Sequence, residues 1–222
     1  TAYEIVDCDW SSDVCSSDLA GGLVDDYSPL IFHNEASTVY NGFIITEEVN
    51  KARVCHNYLE GGDQGIGIQN LSSYATIEDN LIFAGFSKGI EDISTTNIGV
   101  LIQGNVVSVG AVVNAIGIDI QSSAAFGGNA KNVVNNTIIY TAGTNGVNGI
   151  KISGTDPRLN CIGNAFNPRS AWTGTNTFKI NDASSNGVYG LTTKIIGNYE
   201  IPFLSQGAIA LFGDRKSTRL NS

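Results

Sequence analysis

An asparagine recurs in a nearly fixed setting along this chain, and this recurrence limits the possible fold more than any other feature. Each of these asparagines follows an apolar residue by three positions, and all but the last precede another by two. Successive asparagines are 23, 25, 31, 28 and 34 residues apart. A unit of that length cannot bury an apolar face alone, so such units are expected to stack. The asparagines are Asn57, Asn80, Asn105, Asn136, Asn164 and Asn198.

A second motif, Gly-Ile-x-Ile, accompanies the asparagine motif in several repeats. Alternation of apolar and other residues over such short runs is typical of β-strands, and no stretch keeps the period of a helix. The glycine, asparagine and serine residues between the runs predict turns. The motif and its partial copies are found at Gly65–Ile68, Gly89–Ile90, Gly117–Ile120, Gly149–Ile152 and, in weaker form, Phe178–Ile180.

Stacked coils of this kind place equivalent strands about 4.8 Å apart, with each strand paired to its counterpart in the next coil. Asparagine suits a recurring corner for two reasons. It tolerates left-handed backbone angles, and its amide can donate and accept hydrogen bonds along a column of like residues. A leucine-rich repeat would need a denser leucine pattern, and a β-sandwich would not hold an asparagine column.

The two motifs resemble the right-handed parallel β-helix of pectate-lyase-like proteins, the pectin-lyase fold, over about residues 42–211. The resemblance implies an all-β solenoid of about six to seven coils. The family includes polysaccharide lyases, glycoside hydrolases, epimerases, phage tailspikes and bacterial adhesins, so the fold alone does not set the activity. It further implies a polysaccharide partner and a location outside the cell, on its surface or in a virion.

Both ends of the chain differ in origin from its middle. The run from Asp214 to Ser222, back-translated and read on the opposite strand in a shifted frame, encodes the run from Trp10 to Asp18. The two runs resemble the translated adapter used in short-read DNA sequencing. We therefore expect residues 1–19 and 214–222 to be non-native, and residues 20–213 to be a metagenomic β-helix fragment truncated at both ends, in which no signal peptide is observable.

Composition excludes several classes of protein. The formal net charge is −9 and the pI is about 4.5, which argues against nucleic-acid binding because phosphate requires lysine and arginine. No apolar run approaches the roughly 18–20 residues of a membrane-spanning helix. Outside the adapter-like ends only Cys55 and Cys161 remain, so no disulfide framework is indicated.

The middle position of Gly-Ile-x-Ile points outward if both isoleucines point inward, which predicts an outward column of candidate catalytic residues. Two carboxylates beside a lysine could act as an acid/base set, and a separation of about 5–5.5 Å would suit a retaining glycosidase. No cofactor is required for that chemistry. In a lyase, the carboxylates could instead hold Ca²⁺ while Lys151 acts as the base. The alternative is a solvated face whose charges favour stacking. The column reads Gly67, Glu91, Asp119, Lys151 and Lys179, with Glu91, Asp119 and Lys151 as the catalytic candidates.

Other residues suggest further roles. Trp172 is expected either to stack on a sugar ring as a substrate-binding residue or to cap the core. His56 is expected to be an exposed turn residue, and Cys161 to be a small core residue. No complete pectate-lyase or polygalacturonase signature is present, so no catalytic residues carry over from the family. Two functions stay open: an enzyme that binds or degrades polysaccharide, and the non-enzymatic shaft of a tailspike or adhesin, which as a homotrimer would carry apolar outer patches.

Overall fold

The computed structural model describes residues 29–46, 51–61, 65–72, 74–83, 85–94, 99–109, 112–122, 131–141, 145–154, 159–168, 175–183 and 194–201. Throughout these ranges the secondary structure is β-strand, turn and bend. In this described part, no helix has the length and hydropathy needed to span a membrane. The adapter-like segments 1–19 and 214–222 and the residue Trp172 lie outside the described residues.

The described ranges contain a succession of short strands. In chain order they are β1 (Leu30–Phe32), β2 (Glu35–Val39), β3 (Phe43–Ile45), β4 (Arg53–Cys55), β5 (Tyr58–Gly61), β6 (Ile66–Asn70), β7 (Thr76–Glu78), β8 (Leu81–Phe83), β9 (Lys88–Asp92), β10 (Leu101–Gln103), β11 (Val106–Val109), β12 (Ile116–Ser122), β13 (Lys131–Val134), β14 (Thr137–Tyr140), β15 (Asn148–Gly154), β16 (Leu159–Ile162), β17 (Ala165–Pro168), β18 (Phe178–Asp182), β19 (Lys194–Ile196) and β20 (Tyr199–Glu200).

These strands form three sheets in which every third strand is a neighbour. The first sheet has the order β1-β4-β7-β10-β13-β16-β19, the second β2-β5-β8-β11-β14-β17-β20, and the third β18-β15-β12-β9-β6-β3. The strand pairs within each sheet are parallel. Each coil therefore contributes one strand to each sheet, which is a right-handed parallel β-helix, as the repeat predicts.

Aliphatic side chains stack in columns inside the coils. The apolar residues three positions before each asparagine pair in register along the first sheet, and those two positions after it pair along the second. The isoleucines of the Gly-Ile motif form a third column on the third sheet, so the predicted columns are confirmed. The central members, which are almost fully buried, are Val54, Ile77, Ile102, Val133, Cys161, Leu59, Ile82, Val107, Ile138, Phe166, Ile68, Ile90, Ile118 and Ile150.

The six asparagines line up along one edge, and Asn34 extends the ladder by one coil. At its centre, the side-chain oxygen Oδ1 of Asn80 accepts hydrogen bonds from the backbone N and Nδ2 of Asn57, at 3.0 and 2.9 Å. Asn80 Nδ2 in turn donates to Asn105 Oδ1 at 2.9 Å and to the carbonyl of Val54 at 2.9 Å. The ladder therefore satisfies buried polar groups at the corner between the first and second sheets.

The left-handed backbone conformation at this corner belongs to the residue before each ladder asparagine. The prediction that the asparagine itself adopts it is wrong, because Oδ1 must point along the column while the preceding residue turns the chain. This turning position is taken by residues that tolerate positive φ and by two histidines. Its occupants are His33, His56, Asp79, Gly104, Asn135, Gly163 and Gly197, with φ between 53° and 67°.

The glycines of the Gly-Ile motif form a column of their own, and the reason is steric. A Cβ built on Gly89 would lie 2.7 Å from the carbonyl oxygen of Gly117 in the next coil and 2.4 Å from a methyl carbon of Val107. A Cβ on Gly67 or Gly117 would meet the following coil at 2.5 or 2.4 Å. The carbonyl oxygen of the next coil in the same sheet, together with methyl groups of the second sheet, thus leaves no room for a side chain at this position.

Candidate functional site

The outward column of the third sheet brings the predicted catalytic residues into register. Asp119 pairs with Glu91 on one side and with Lys151 on the other. Two assignments at the ends of the column are wrong. Gln69, not Gly67, pairs with Glu91. Asn181, not Lys179, pairs with Lys151.

The error at the first end has a simple cause. Gly65–Ile68 contains two consecutive Gly-Ile pairs, and the second pair aligns with Gly89 and Ile90, because Ile68 pairs with Ile90. Asp92 then falls in the inner column beside Ile120, so the strand continues in register at Glu91 and Asp92.

Lys88 bridges the two carboxylates of this column, a contact that the Gly-Ile-x-Ile motif does not predict. Its ammonium nitrogen Nζ forms ion pairs with Glu91 Oε1 and, at 2.7 Å, with Asp119 Oδ2. Gln69 Nε2 donates to the other oxygen of Glu91 at 2.6 Å. Gln121 Nε2 lies 3.5 Å from Glu91 and 3.4 Å from Asp119. We call these five residues the Lys88 cluster.

The carboxylates of the Lys88 cluster are buried although they face away from the core. Glu91 is 5% exposed and Asp119 is 1% exposed. Burial alone lowers the pKa of Lys88, but its hydrogen bonds to Asp119 and Glu91 outweigh that effect and hold the pKa above its usual value. Lys88 therefore remains an ammonium at neutral pH.

One oxygen of this cluster has no hydrogen-bond partner among the described residues. Asp119 Oδ1 is buried and unpaired, whereas Oδ2 binds Lys88. Lys151, the register neighbour of Asp119, is half-buried and forms no ion pair with it in this part of the chain. An unpaired buried carboxylate oxygen costs free energy, so a water molecule or a rotated Lys151 side chain would stabilise this position.

The facing oxygens of Glu91 and Asp119 bind the ammonium of Lys88, which occupies the position predicted for Ca²⁺. These carboxylates would have to release Lys88 before they could hold Ca²⁺. Among the described residues no three His, Cys, Asp or Glu side chains are grouped as potential metal ligands. Calcium binding stays a prediction.

The solenoid contains a buried ion pair that the sequence patterns do not predict. Asp92 Oδ2 lies 2.8 Å from Lys131 Nζ, and both side chains are almost fully buried. Lys131 Nζ also donates to the backbone carbonyls of Ser94 and Gln121, at 3.2 and 3.1 Å. Asp92 Oδ1 accepts from Asn70 Nδ2 at 2.9 Å and from the Ser94 amide at 3.3 Å. Hydrogen bonds to Asp92 Oδ1 and from Lys131 Nζ offset part of the cost of burying these charges, whereas Asp92 Oδ2 has the ion pair alone.

The two cysteines and His56 lie outside the Lys88 cluster, and Cys161 and His56 lie where the sequence predicts. Cys161 is buried in the inner column, and burial raises the pKa of its thiol to about 11. Cys55, whose side was not predicted, faces outward next to Glu78 and is also buried. His56 is an exposed turn residue, as predicted.

The outer face of the second sheet is more apolar than the outer face of the third. Tyr58, Leu81 and Val106 follow one another in register. Leu81 is 41% exposed, and the rings of Tyr58 and Phe83 lie 5.7 Å apart. We call Tyr58, Leu81, Phe83 and Val106 the apolar row.

A scan of protein-family models, a search of curated proteins and a search of solved structures each find no match for this chain. What can be inferred about its function therefore comes from the geometry of its side chains.

Proposed function

We propose that this β-helix binds a polysaccharide along the outer face of its third sheet. The observation that carries the proposal is the polar column Gln69, Glu91, Asp119, Lys151 and Asn181, which runs through five successive coils. Its members repeat about every 4.8 Å along the solenoid axis, so an extended polymer lying on this face would meet a polar side chain at each coil.

The buried carboxylates hold two of the groups that would face the polymer. Glu91 binds both Lys88 and Gln69, which fixes an ammonium and an amide at the surface. Lys88 and Lys151 are half-buried, and Gln121 is exposed. Side chains positioned in advance lose less conformational entropy when they bind a ligand.

The charges of this face favour neutral sugars. Lys88 and Lys151 balance Glu91 and Asp119, so the column taken together with Lys88 carries no formal net charge. The whole chain has a formal net charge of −9, which repels a polyuronate. Amides and ammonium groups donate hydrogen bonds to hydroxyl and ring oxygens without requiring a charged ligand.

Binding fits this geometry better than cleavage does. Both carboxylates are ion-paired with Lys88 and nearly inaccessible, so neither is presented to a glycosidic bond. Lys88, with its raised pKa, is unsuited to act as a general base near neutral pH. Lyase or hydrolase activity with Glu91, Asp119 and Lys151 as catalytic residues stays an untested prediction.

A glycan array on which the chain is compared with a Gln121→Ala/Lys151→Ala double variant tests this proposal. We expect the parent chain to bind neutral polysaccharides in preference to polygalacturonate, and the double variant to bind them at least tenfold more weakly. Asn160→Ala, on the first sheet, is the matched control and should bind like the parent. Equal binding by the double variant, or preference for the polyuronate, would contradict the proposal.

The apolar row favours a second candidate, the shaft of a homotrimeric tailspike or adhesin. Leu81 is exposed and Tyr58, Phe83 and Val106 are half-buried. Such a row of accessible apolar side chains along one face suits solenoids that pack side by side. Sedimentation should then show a trimer that Leu81→Glu converts to a monomer, while Thr76→Glu on the first sheet does not. A monomeric parent chain would rule out this candidate.

A further inference from the structure

The chain has two histidines, 23 residues apart in sequence, and the fold places their rings next to each other at a tilt. His33 and His56 both occupy the left-handed position before a ladder asparagine, with φ of 55° and 57°. Both side chains are exposed. Their ring centroids are 5.6 Å apart and their planes are inclined by 48°. The two imidazoles lie at the corner between the first and second sheets, outside the polysaccharide-binding face proposed above.

The separation of the rings suits a shared metal ion. An ion about 2.0–2.1 Å from one nitrogen of each imidazole lies roughly 3.2 Å from each ring centroid, so tetrahedral coordination needs centroids roughly 5.2 Å apart. The observed 5.6 Å exceeds this by a few tenths of an ångström. Rotation of two exposed side chains covers such a difference.

The backbone beneath the histidines is held firmly in place. Asn57 Oδ1 accepts hydrogen bonds from the backbone N and Nδ2 of Asn34, at 3.0 and 2.9 Å. Just before the histidines, Phe32 pairs in register with Cys55. Two ligands whose backbone is fixed on adjacent coils need only side-chain rotation to bind one ion together.

The surroundings also favour a cation. Asp79 occupies the same turning position in the next coil and is exposed. Glu78 lies nearby as well, with its carboxylate paired to Arg53. Neutral imidazole is a good ligand for zinc, copper and nickel, whereas carboxylate-rich sites suit magnesium and calcium.

We propose that His33 and His56 form a two-ligand site for a divalent transition-metal ion, with water completing the coordination. The described residues offer no cluster of three or more His, Cys, Asp or Glu ligands, so this site is expected to be weaker than a structural zinc centre. The proposal does not depend on polysaccharide binding.

Calorimetric titration of the complete chain with Zn²⁺ and with Ni²⁺ tests this site, after alkylation of accessible thiols to remove their contribution. His33→Asn and His56→Asn are suitable variants because asparagine adopts the same backbone conformation at Asn135. Asn135→Gly, at the same turning position three coils beyond His56, keeps both imidazoles and is the matched control.

We expect one ion per chain at this site. Either histidine variant should reduce the affinity at least tenfold, which is a loss of roughly 1.4 kcal/mol or more. The control should reduce it by less than about threefold. Circular dichroism of each variant checks that the fold is retained. Absence of binding by the parent chain, or unchanged affinity in a folded histidine variant, would overturn the proposal.

Discussion

Replacement of Asn80 by alanine should weaken the fold severely, because Asn80 lies in the middle of the asparagine ladder. The side chain makes four hydrogen bonds of 2.9 to 3.0 Å, two as acceptor and two as donor. It is fully buried, so water cannot replace these bonds. At about 1 kcal/mol per bond, the loss is near 4 kcal/mol, and more if the former partners stay unsatisfied.

Asn34→Ala provides the matched comparison at the end of the described ladder. The Asn34 side chain donates two hydrogen bonds, to Asn57 Oδ1 at 2.9 Å and to the Phe32 carbonyl at 3.1 Å. It is only partly buried, so water can take over part of this role. We expect a loss of about 1 kcal/mol.

Urea unfolding of the two variants, followed by circular dichroism, measures the difference. With a slope of about 2 kcal/mol per molar urea, Asn80→Ala should lower the midpoint by about 2 M and Asn34→Ala by about 0.5 M. Asn80→Asp should also be destabilising, because a carboxylate cannot donate to Asn105 Oδ1. Equal and small losses for Asn80→Ala and Asn34→Ala would refute the idea that the ladder stabilises the stacked coils.

Three further changes probe the interior. Gly89→Ala should destabilise the fold by about 1–3 kcal/mol because the new Cβ meets the backbone of Gly117, and an unchanged urea midpoint would contradict the close approach. Lys131→Met should cost about 3–5 kcal/mol by leaving Asp92 buried without its cation; adding Asp92→Leu should recover most of that loss, and a double variant no more stable than the single one would speak against the pairing. The thiol of Cys161, with its pKa of about 11, should resist iodoacetamide at pH 8 in the folded chain and react in urea, whereas rapid alkylation of the folded chain would show that the column is open.

Features that recur in every coil could be predicted, because stacked coils need the same type of residue at equivalent positions. The apolar columns and six of the ladder asparagines follow from residue types that recur at similar offsets. Asn34 was missed because it precedes the first clear repeat, although Ile31 stands three positions before it and Ala36 two after. The turning position was misassigned because its occupants share no side-chain chemistry. His56, Asp79 and Gly104 have only a backbone angle in common.

The contacts of single side chains could not be predicted from the repeats. Lys88 precedes the Gly-Ile motif by one residue, and nothing in that motif shows that its side chain reaches Asp119 in the next coil. Asp92 and Lys131 are 39 residues apart. Charged residues are usually solvated, so neither was expected in the core. Each pair depends on the register between coils of unequal length, which only the three-dimensional structure provides.

Nuclear magnetic resonance with isotope labelling confined to asparagine tests the stacking of the coils most directly. Side-chain amide protons of consecutive ladder residues should show through-space contacts in the order Asn57, Asn80, Asn105 and Asn136, because each Nδ2 lies 2.9 to 3.0 Å from the next Oδ1. Absence of these contacts in the folded chain, or their replacement by contacts between asparagines that are close only in sequence, would contradict the parallel β-helix and the site built on it.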